Sequence, residues 1–208
     1  MVAHRTDPTD HHPKGRLPAI ERRHQLLTTA RIVLADHGYH GTTMADIATE
    51  ADVTKPVLYQ HFASKHDLYR AVLASAANSL EQTVLASLEA ATSTREQLDF
   101  GVRAFTRFFS DDPISFRLLF DGGVRQDSEW EDIVRSVEST IFDGLATLID
   151  VPTIPFASRQ ALAHGIIGMA EAMIRFSQRN PELSIEDLTQ NMVSLVWAGL
   201  RSFAPKEP

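Results

Sequence analysis

Residues 43–62, Thr-Met-Ala-Asp-Ile-Ala-Thr-Glu-Ala-Asp-Val-Thr-Lys-Pro-Val-Leu-Tyr-Gln-His-Phe, constrain the fold of this chain more than any other stretch. Thr43 is placed to cap a short helix, and Asp46 three residues on suits that helix's positive end. Ile47, Ala48 and Ala51 recur at helical spacing and give it one apolar face. The chain then turns at Ala51-Asp52-Val53, where Asp52 tolerates the left-handed backbone region. Thr54 is placed to cap a second helix, with Pro56 in its first turn, where a missing N–H costs little. Leu58 and Phe62, four apart, point together into a core. Two short helices joined by a tight turn form a helix-turn-helix unit, which needs further helices beneath it.

At roughly 100° per residue, the side of the second helix opposite Leu58 carries Pro56, Val57 and Gln60. Tyr59 and His61 fall on its flanks, and Lys55 stands at its N-terminal tip. This surface suits a major groove: Gln60 for adenine, Lys55 for guanine, Val57 against a thymine methyl. Tyr59 and His61 are placed for the phosphate walls, with Lys65 adding charge just beyond, and Thr43 and Thr54 at the two helix starts. The plain alternative is a helical corner whose polar side faces water, but outward Tyr, Gln, His and Lys together argue against it.

The segment Gly41-Thr-Thr-Met-Ala-Asp-Ile-Ala, then Val53 through Phe62, Ser64-Lys65 and Leu68-Tyr69, resembles the DNA-binding domain of the tetracycline-repressor (TetR) family. The resemblance covers roughly residues 18–70. It implies an all-α homodimeric transcriptional regulator, most often a repressor, in which Tyr59 and Lys65 contact phosphates. Asp52 departs from the glycine usual in that family's turn.

Upstream, Ile20, Leu27, Ala30 and Leu34 follow helical spacing from Pro18 to Asp36, Leu26 and Val33 widen that face, and Gly38 supplies a stop. The arm at 1–17 carries Arg5, Lys14 and Arg16, placed to brush DNA or to form a tail. A net charge of −7 looks wrong for a DNA binder until it is divided. Residues 1–70 hold nine Lys/Arg against eight Asp/Glu, and the remainder holds eleven against nineteen. The acidic part turns away from DNA, which orients the molecule. No apolar run reaches membrane-spanning length and no apolar segment follows the N-terminus, so a cytoplasmic protein is expected. Zero cysteines exclude disulfide and thiol chemistry.

Helix starts recur at Ser64, Thr94, Asp112-Pro113, Ser128 and Ser184. They predict helices near 65–91, 94–110, 113–121, 128–149, 157–179 and 184–203, about nine in all. The expected organisation is an arm at 1–17, a helix-turn-helix domain at 18–64, and a ligand-binding and dimerisation domain at 65–208. Two helices carry broad apolar stripes: Leu162, Ile166, Ile167, Met169, Ala170, Met173 and Ile174, and then Leu188, Met192, Leu195, Val196, Gly199, Leu200 and Phe203. With Gly165, Gly168 and Gly199 for close approach, they suit a four-helix contact about a two-fold axis.

Seven of eleven phenylalanines lie between 100 and 142: Phe100, Phe105, Phe108, Phe109, Phe116, Phe120 and Phe142, with Trp130 nearby. The residues alone favour a filled core slightly; the resemblance points to a cavity lined by them, with Arg103, Arg107 or Arg117 meeting a polar head. The stretch from Phe105 to Phe120 is also similar to actinobacterial members that sense fatty acyl thioesters, so a hydrophobic effector is expected. Nucleotide-binding, metalloprotease and hydrolase motifs are absent, the loose His4, His11 and His12 group does not preorganise a metal, and neither enzyme activity nor a cofactor is expected. A carrier bundle with a vestigial helix-turn-helix is the alternative, though a carrier has no reason to present Lys55, Tyr59 and Gln60.

Overall fold

The computed structural model describes residues 17–121, 139–149 and 154–203, and among these no strand occurs. Among the described residues nine α-helices follow one another: α1 (Ala19–Gly41), α2 (Met44–Glu50), α3 (Lys55–His61), α4 (Lys65–Leu88), α5 (Thr94–Asp111), α6 (Pro113–Phe116), α7 (Gly144–Leu148), α8 (Phe156–Arg179) and α9 (Ile185–Leu200). The fold is the all-α one expected. Helix α6 runs directly into a π-turn at Arg117–Asp121, another π-turn at Ser139–Asp143 leads into α7, and a 3₁₀ turn at Arg201–Phe203 ends α9. The arm, Trp130, the Ser128 start and most of the helix expected over 128–149 lie outside the described residues.

Local chemistry sets the boundaries. Gly38, at φ 71°, interrupts α1 one residue beyond the end of its regular part, as a stop glycine should. Ser64 Oγ accepts from Asp67 N at 3.0 Å to start α4, and Ser184 does the same for Asp187 at α9. At α5 the cap is Ser93 rather than Thr94: Glu96 N donates to Ser93 Oγ while the Glu96 carboxylate receives Thr92 N and Oγ1, each at 2.7 Å. Both registers match the capping pattern, and the one that puts a charged carboxylate in the first turn wins. Helix α4 ends at Leu88, three residues short of the expected end.

One apolar core runs through the molecule. In the N-terminal head, Leu26, Ala30 and Leu34 of α1 close over Ile47, Leu58 and Phe62. Helix α4 carries that core onward, with Leu68 and Tyr69 beneath the head and Ala76 and Leu80 inside the bundle of α5, α8 and α9. The expected α1 face is therefore shifted: Ile20 is 85% exposed, and Leu26, Ala30, Val33 and Leu34 are the buried set. The helix begins only at Ala19, so Ile20 lies beyond the reach of α2 and α3. A buried hydroxyl pair, Thr106 and Thr189 at 3.0 Å, pins α5 to α9.

Candidate nucleic-acid interface and effector cavity

The turn between α2 and α3 has the geometry its residues dictate. Thr43 caps α2: its hydroxyl accepts from Asp46 N at 3.2 Å, while the Asp46 carboxylate receives Thr43 N and Oγ1 at 2.8 Å. Those bonds from Thr43 hold the Asp46 carboxyl below the usual carboxylate range. Asp52 adopts φ 52°, the left-handed conformation expected of it. Leu58 and Phe62 are buried, which turns Lys55, Pro56, Tyr59 and Gln60 outward; Tyr59 is 49% exposed, and Val57 and His61 are half-buried on the edges.

Among the described residues, Thr54, Lys55, Tyr59 and Gln60 make no side-chain hydrogen bond or ion pair, although Thr54 stands at the N-cap of α3. Arg23, Gln25 and Lys65 in the head are engaged. Arg23 of α1 donates to the His61 carbonyl at 2.9 Å and lies 4.3 Å over the Phe62 ring, clamping the end of α3. Gln25 reaches the Ala51 carbonyl at the end of α2. Nothing in the local sequence marks Arg23 for this role, because its partners lie thirty-eight residues away.

Lys65 differs from expectation. Its ammonium donates to the carbonyls of Tyr39 and Thr42, each at 2.9 Å, and sits 4.0 Å over the Tyr39 ring. Two of its three N–H bonds thus satisfy backbone acceptors at the end of α1, and its first task is to fasten α4 to α1.

The phenylalanines also correct the sequence reading. Phe105, Phe109, Phe116 and Phe120 form an edge-to-face cluster with neighbouring ring centroids 4.9–6.3 Å apart, and Phe108 joins it at 5.1 Å from Phe109. Phe142 stacks on His164 at 4.1 Å. These rings fill core space against one another, as such rings prefer to do. The arginines among them are committed elsewhere: Arg103 to Asp99, Glu186 and Gln190, Arg107 to Glu186, and Arg117 to Asp36.

An actual cavity of about 580 Å³ lies beside this cluster. Its wall is aliphatic: Leu80, Val84 and Leu85 of α4, Leu98 and Val102 of α5, Leu145 and Leu148 of α7, Ile166 and Ile167 of α8, and Met192 of α9. Of the expected lining residues only Phe105 contributes; Phe100, Arg103, Phe108, Phe109, Phe116, Phe120 and Phe142 do not. The volume falls in the range of small-molecule sites. The wide apolar stripes on α8 and α9 were a signal for it: their Ile166, Ile167, Ala170 and Met192 face the cavity.

The other side of those two helices is open. Gly165, Gly168, Ala172 and Phe176 of α8, and Leu195, Ala198 and Gly199 of α9, are exposed. A Cβ built on Gly165, Gly168 or Gly199 would meet nothing within 4 Å. Among the described residues, no helix is long and apolar enough to cross a membrane.

Residues 26–72 match the model of a family described as bacterial regulatory proteins, tetR family. Over 188 residues the chain is 34% identical to the HTH-type transcriptional activator FasR of Mycolicibacterium smegmatis, covering 89% of this chain and 86% of that protein. A TetR-like transcriptional regulator from Rhodococcus sp. RHA1 has a similar structure, with a TM-score of 0.73, 28% identity and coverage of 89% and 99% of the two chains. The transcriptional regulator FadR from Bacillus subtilis, solved in complex with stearoyl-CoA, shares the fold alone: TM-score 0.72, 15% identity, coverage 83% and 96%.

Proposed function

The chain belongs to the tetR family of bacterial regulatory proteins and is a helix-turn-helix transcriptional regulator, and from that premise we propose that a homodimer reads its operator through α3 and releases it when a hydrophobic effector fills the cavity. The contrast on the head carries the reading: Thr54, Lys55, Tyr59 and Gln60 are outward and make no side-chain hydrogen bond or ion pair among the described residues, while Arg23, Gln25 and Lys65 are bonded within the head. An unengaged set of this kind is ready for base edges and phosphates. Pro56, Val57 and His61 complete the surface, and Thr43 presents the start of α2. Lys65 acts through the position of α4, with only its remaining N–H to offer a phosphate.

The exposed small-residue face of α8 and α9 supports the dimer. Glycines with open space above them allow a second copy's helices to approach closely, and Leu195 and Phe176 supply apolar area. Two heads must then stand about 34–36 Å apart, or a multiple, to enter major grooves on one side of the duplex. The head extends over residues 18–64 and the effector and dimer part beyond it, with α4 common to both.

An elongated aliphatic cavity suits an acyl chain, each buried CH₂ of which gains about 0.8 kcal/mol, and the stearoyl-CoA complex of the structurally similar Bacillus regulator makes an acyl thioester the first effector to try. Helix α4 lines the cavity with Leu80, Val84 and Leu85 and begins at Lys65 under the head. Arg31–Asp112 and Arg117–Asp36 ion pairs join α1 to α6 and its π-turn. A ligand that displaces α4 and α5 therefore moves the head, to the extent that it prefers one of the two arrangements.

The test begins with a duplex selected from a random pool by the purified protein. Binding should show two half-sites, fall when Gln60 or Tyr59 is changed, and be released by acyl-coenzyme A thioesters in order of chain length. Selection that returns no preferred sequence removes the DNA reading. Tight operator binding that every acyl chain leaves undisturbed removes the effector.

A further inference from the structure

The cavity has two chemically different ends. Along α5 its wall runs from Thr94 and Gln97 through Leu98, Gly101 and Val102 to Phe105. That is twelve residues of helix, eleven steps of 1.5 Å or about 16 Å. The polar groups Thr94 and Gln97 mark the N-terminal end, and buried Phe105 closes the other. Helix α9 lies antiparallel beside α5, so its C-terminal residues Trp197, Leu200 and Arg201 belong to the Thr94 end and Met192 to the Phe105 end. Of the exposed lining residues, Leu85, Thr94 and Arg201 belong to that first end, while Glu81, Gly144 and Thr147 lie along α4 and α7; we take the first end as the mouth.

The arginine pairing decides what the mouth recognises. Around the aromatic cluster every arginine is spent on a carboxylate or a carbonyl, including Arg175, which donates to the Phe120 carbonyl at 3.1 Å. Arg201, the cavity's only arginine, has no carboxylate partner among the described residues. Arg95 is equally unpaired, and its guanidinium lies 5.9 Å over Trp197, a residue of the cavity wall. One guanidinium thus stands over an indole of the cavity wall, and a second belongs to the wall itself. Of the acids nearby, the Glu96 carboxylate is bonded to the Thr92 backbone and hydroxyl, and Glu81 lies in the cavity wall.

We propose that the cavity takes an anionic amphiphile with its head outward, its charge held by Arg201 and Arg95 beside Trp197 and its chain running inward along α5 to Phe105. The inference rests on the effector reading above and adds which end of the ligand goes where and what charge it carries. An unpaired guanidinium at the rim of a dry channel gains a partner only from an anion, and its planar fork fits a carboxylate or a phosphate. The anion has two sources, a free carboxylate or the phosphates of a thioester's coenzyme A.

Calorimetric titration with dodecanoate, dodecanoyl-coenzyme A and dodecanol tests this on the whole protein. The wild-type chain should bind both anions more tightly than the alcohol. Arg201→Gln and Arg95→Gln should each lower affinity for an anion by about ten- to a hundredfold, the loss expected of one charge-assisted bond. Dodecanol binding should stay within about twofold, which also reports that the variants are folded. Glu81→Gln should tighten the anions and leave the alcohol alone. Losses confined to dodecanoyl-coenzyme A identify the phosphates as the anion held, losses confined to dodecanoate identify the carboxylate, and losses on both show that the arginines hold either anion. Alcohol bound as tightly as both anions, arginine variants that lose alcohol and anions equally, or Glu81→Gln weakening the anions overturns the assignment and leaves the effector cavity standing. A wild-type protein that binds none of the three removes both.

Discussion

Replacing Lys65 with methionine separates two roles that sequence alone merges. If Lys65 is a phosphate contact, its loss takes away one released counterion, and the slope of log affinity against log salt falls by about 0.9 while the protein stays as stable as before. The structure gives a different expectation. The ammonium holds the Tyr39 and Thr42 carbonyls at 2.9 Å each and rests 4.0 Å over the Tyr39 ring. Hydrogen bonds from a charged donor contribute about 1.5–3 kcal/mol each and a cation over an aromatic face about 0.5–1 kcal/mol. The site is half-buried, so water recovers part of the carbonyl bonding, and a net loss of about 2–3 kcal/mol is expected. For a chain of this size that lowers the melting temperature by about 4–12 °C. Calorimetry of the variant should show this drop, and anisotropy titrations across a salt series should show weaker operator binding with an unchanged slope. A variant that melts like the parent while its salt slope falls by one would refute the reasoning.

Three further outcomes follow from named contacts. Gln60→Ala should relax preference at one base pair by about 1–3 kcal/mol, whereas Tyr59→Phe should weaken all duplexes alike, as titrations on matched and mismatched operators will show. Gly168→Arg should leave the isolated fold intact, since a side chain there meets nothing within 4 Å, yet split the dimer in light scattering; Ile166→Asp, on a buried cavity-wall residue, should instead lower the melting temperature. Burial pushes the Tyr69 hydroxyl up to about 12 from its ordinary 10.0, with Tyr39 beside it adding to the rise. The neutral form is the one the fold prefers, so stability should be whole below pH 10 and fall by about 2–3 kcal/mol as pH rises toward 12, a loss that Tyr69→Phe abolishes in denaturant titrations.

The ion pairs across the head suggest how cavity and operator communicate. Asp112 both receives Arg31 of α1 and caps α6, accepting Ser115 N at 3.2 Å. Helix α6 continues into the π-turn that carries Phe120 of the aromatic cluster and Arg117, which holds Asp36 at 2.9 Å. Phe105 belongs at once to that cluster and to the cavity wall. A chain pressing on Phe105 therefore meets, within three contacts, the residues that fix α1. Because a close-packed aromatic cluster deforms in discrete repackings rather than by smooth yielding, a small displacement at one end can select between two seatings of the head.

What the sequence disclosed follows the reach of its signals. The head was readable because its information is local: Thr43, Asp52 and Pro56 each act within four residues of themselves, and Leu58 and Phe62 fix the angle of α3, although Thr54 makes no cap bond with its side chain. The starts of α4, α6 and α9 were readable for the same reason. Periodicity also reported that α5, α8 and α9 have apolar faces, but a face does not name its partner. Phe109 and Phe116 carry the signature of a cavity wall as well as that of a core, and only the contact of α5 with α6 and the π-turn decides that they fill one another. Arg103 meets Glu186, eighty-three residues away on α9, and Lys65 meets carbonyls at the end of α1, so both looked available when they were not. Arg201 carries no local signal of its own; it gains meaning only when α9 lies antiparallel to α5 and brings it to the same channel as Thr94 and Gln97. The effector end of the molecule is thus written in tertiary pairing, while its operator end is written in consecutive residues.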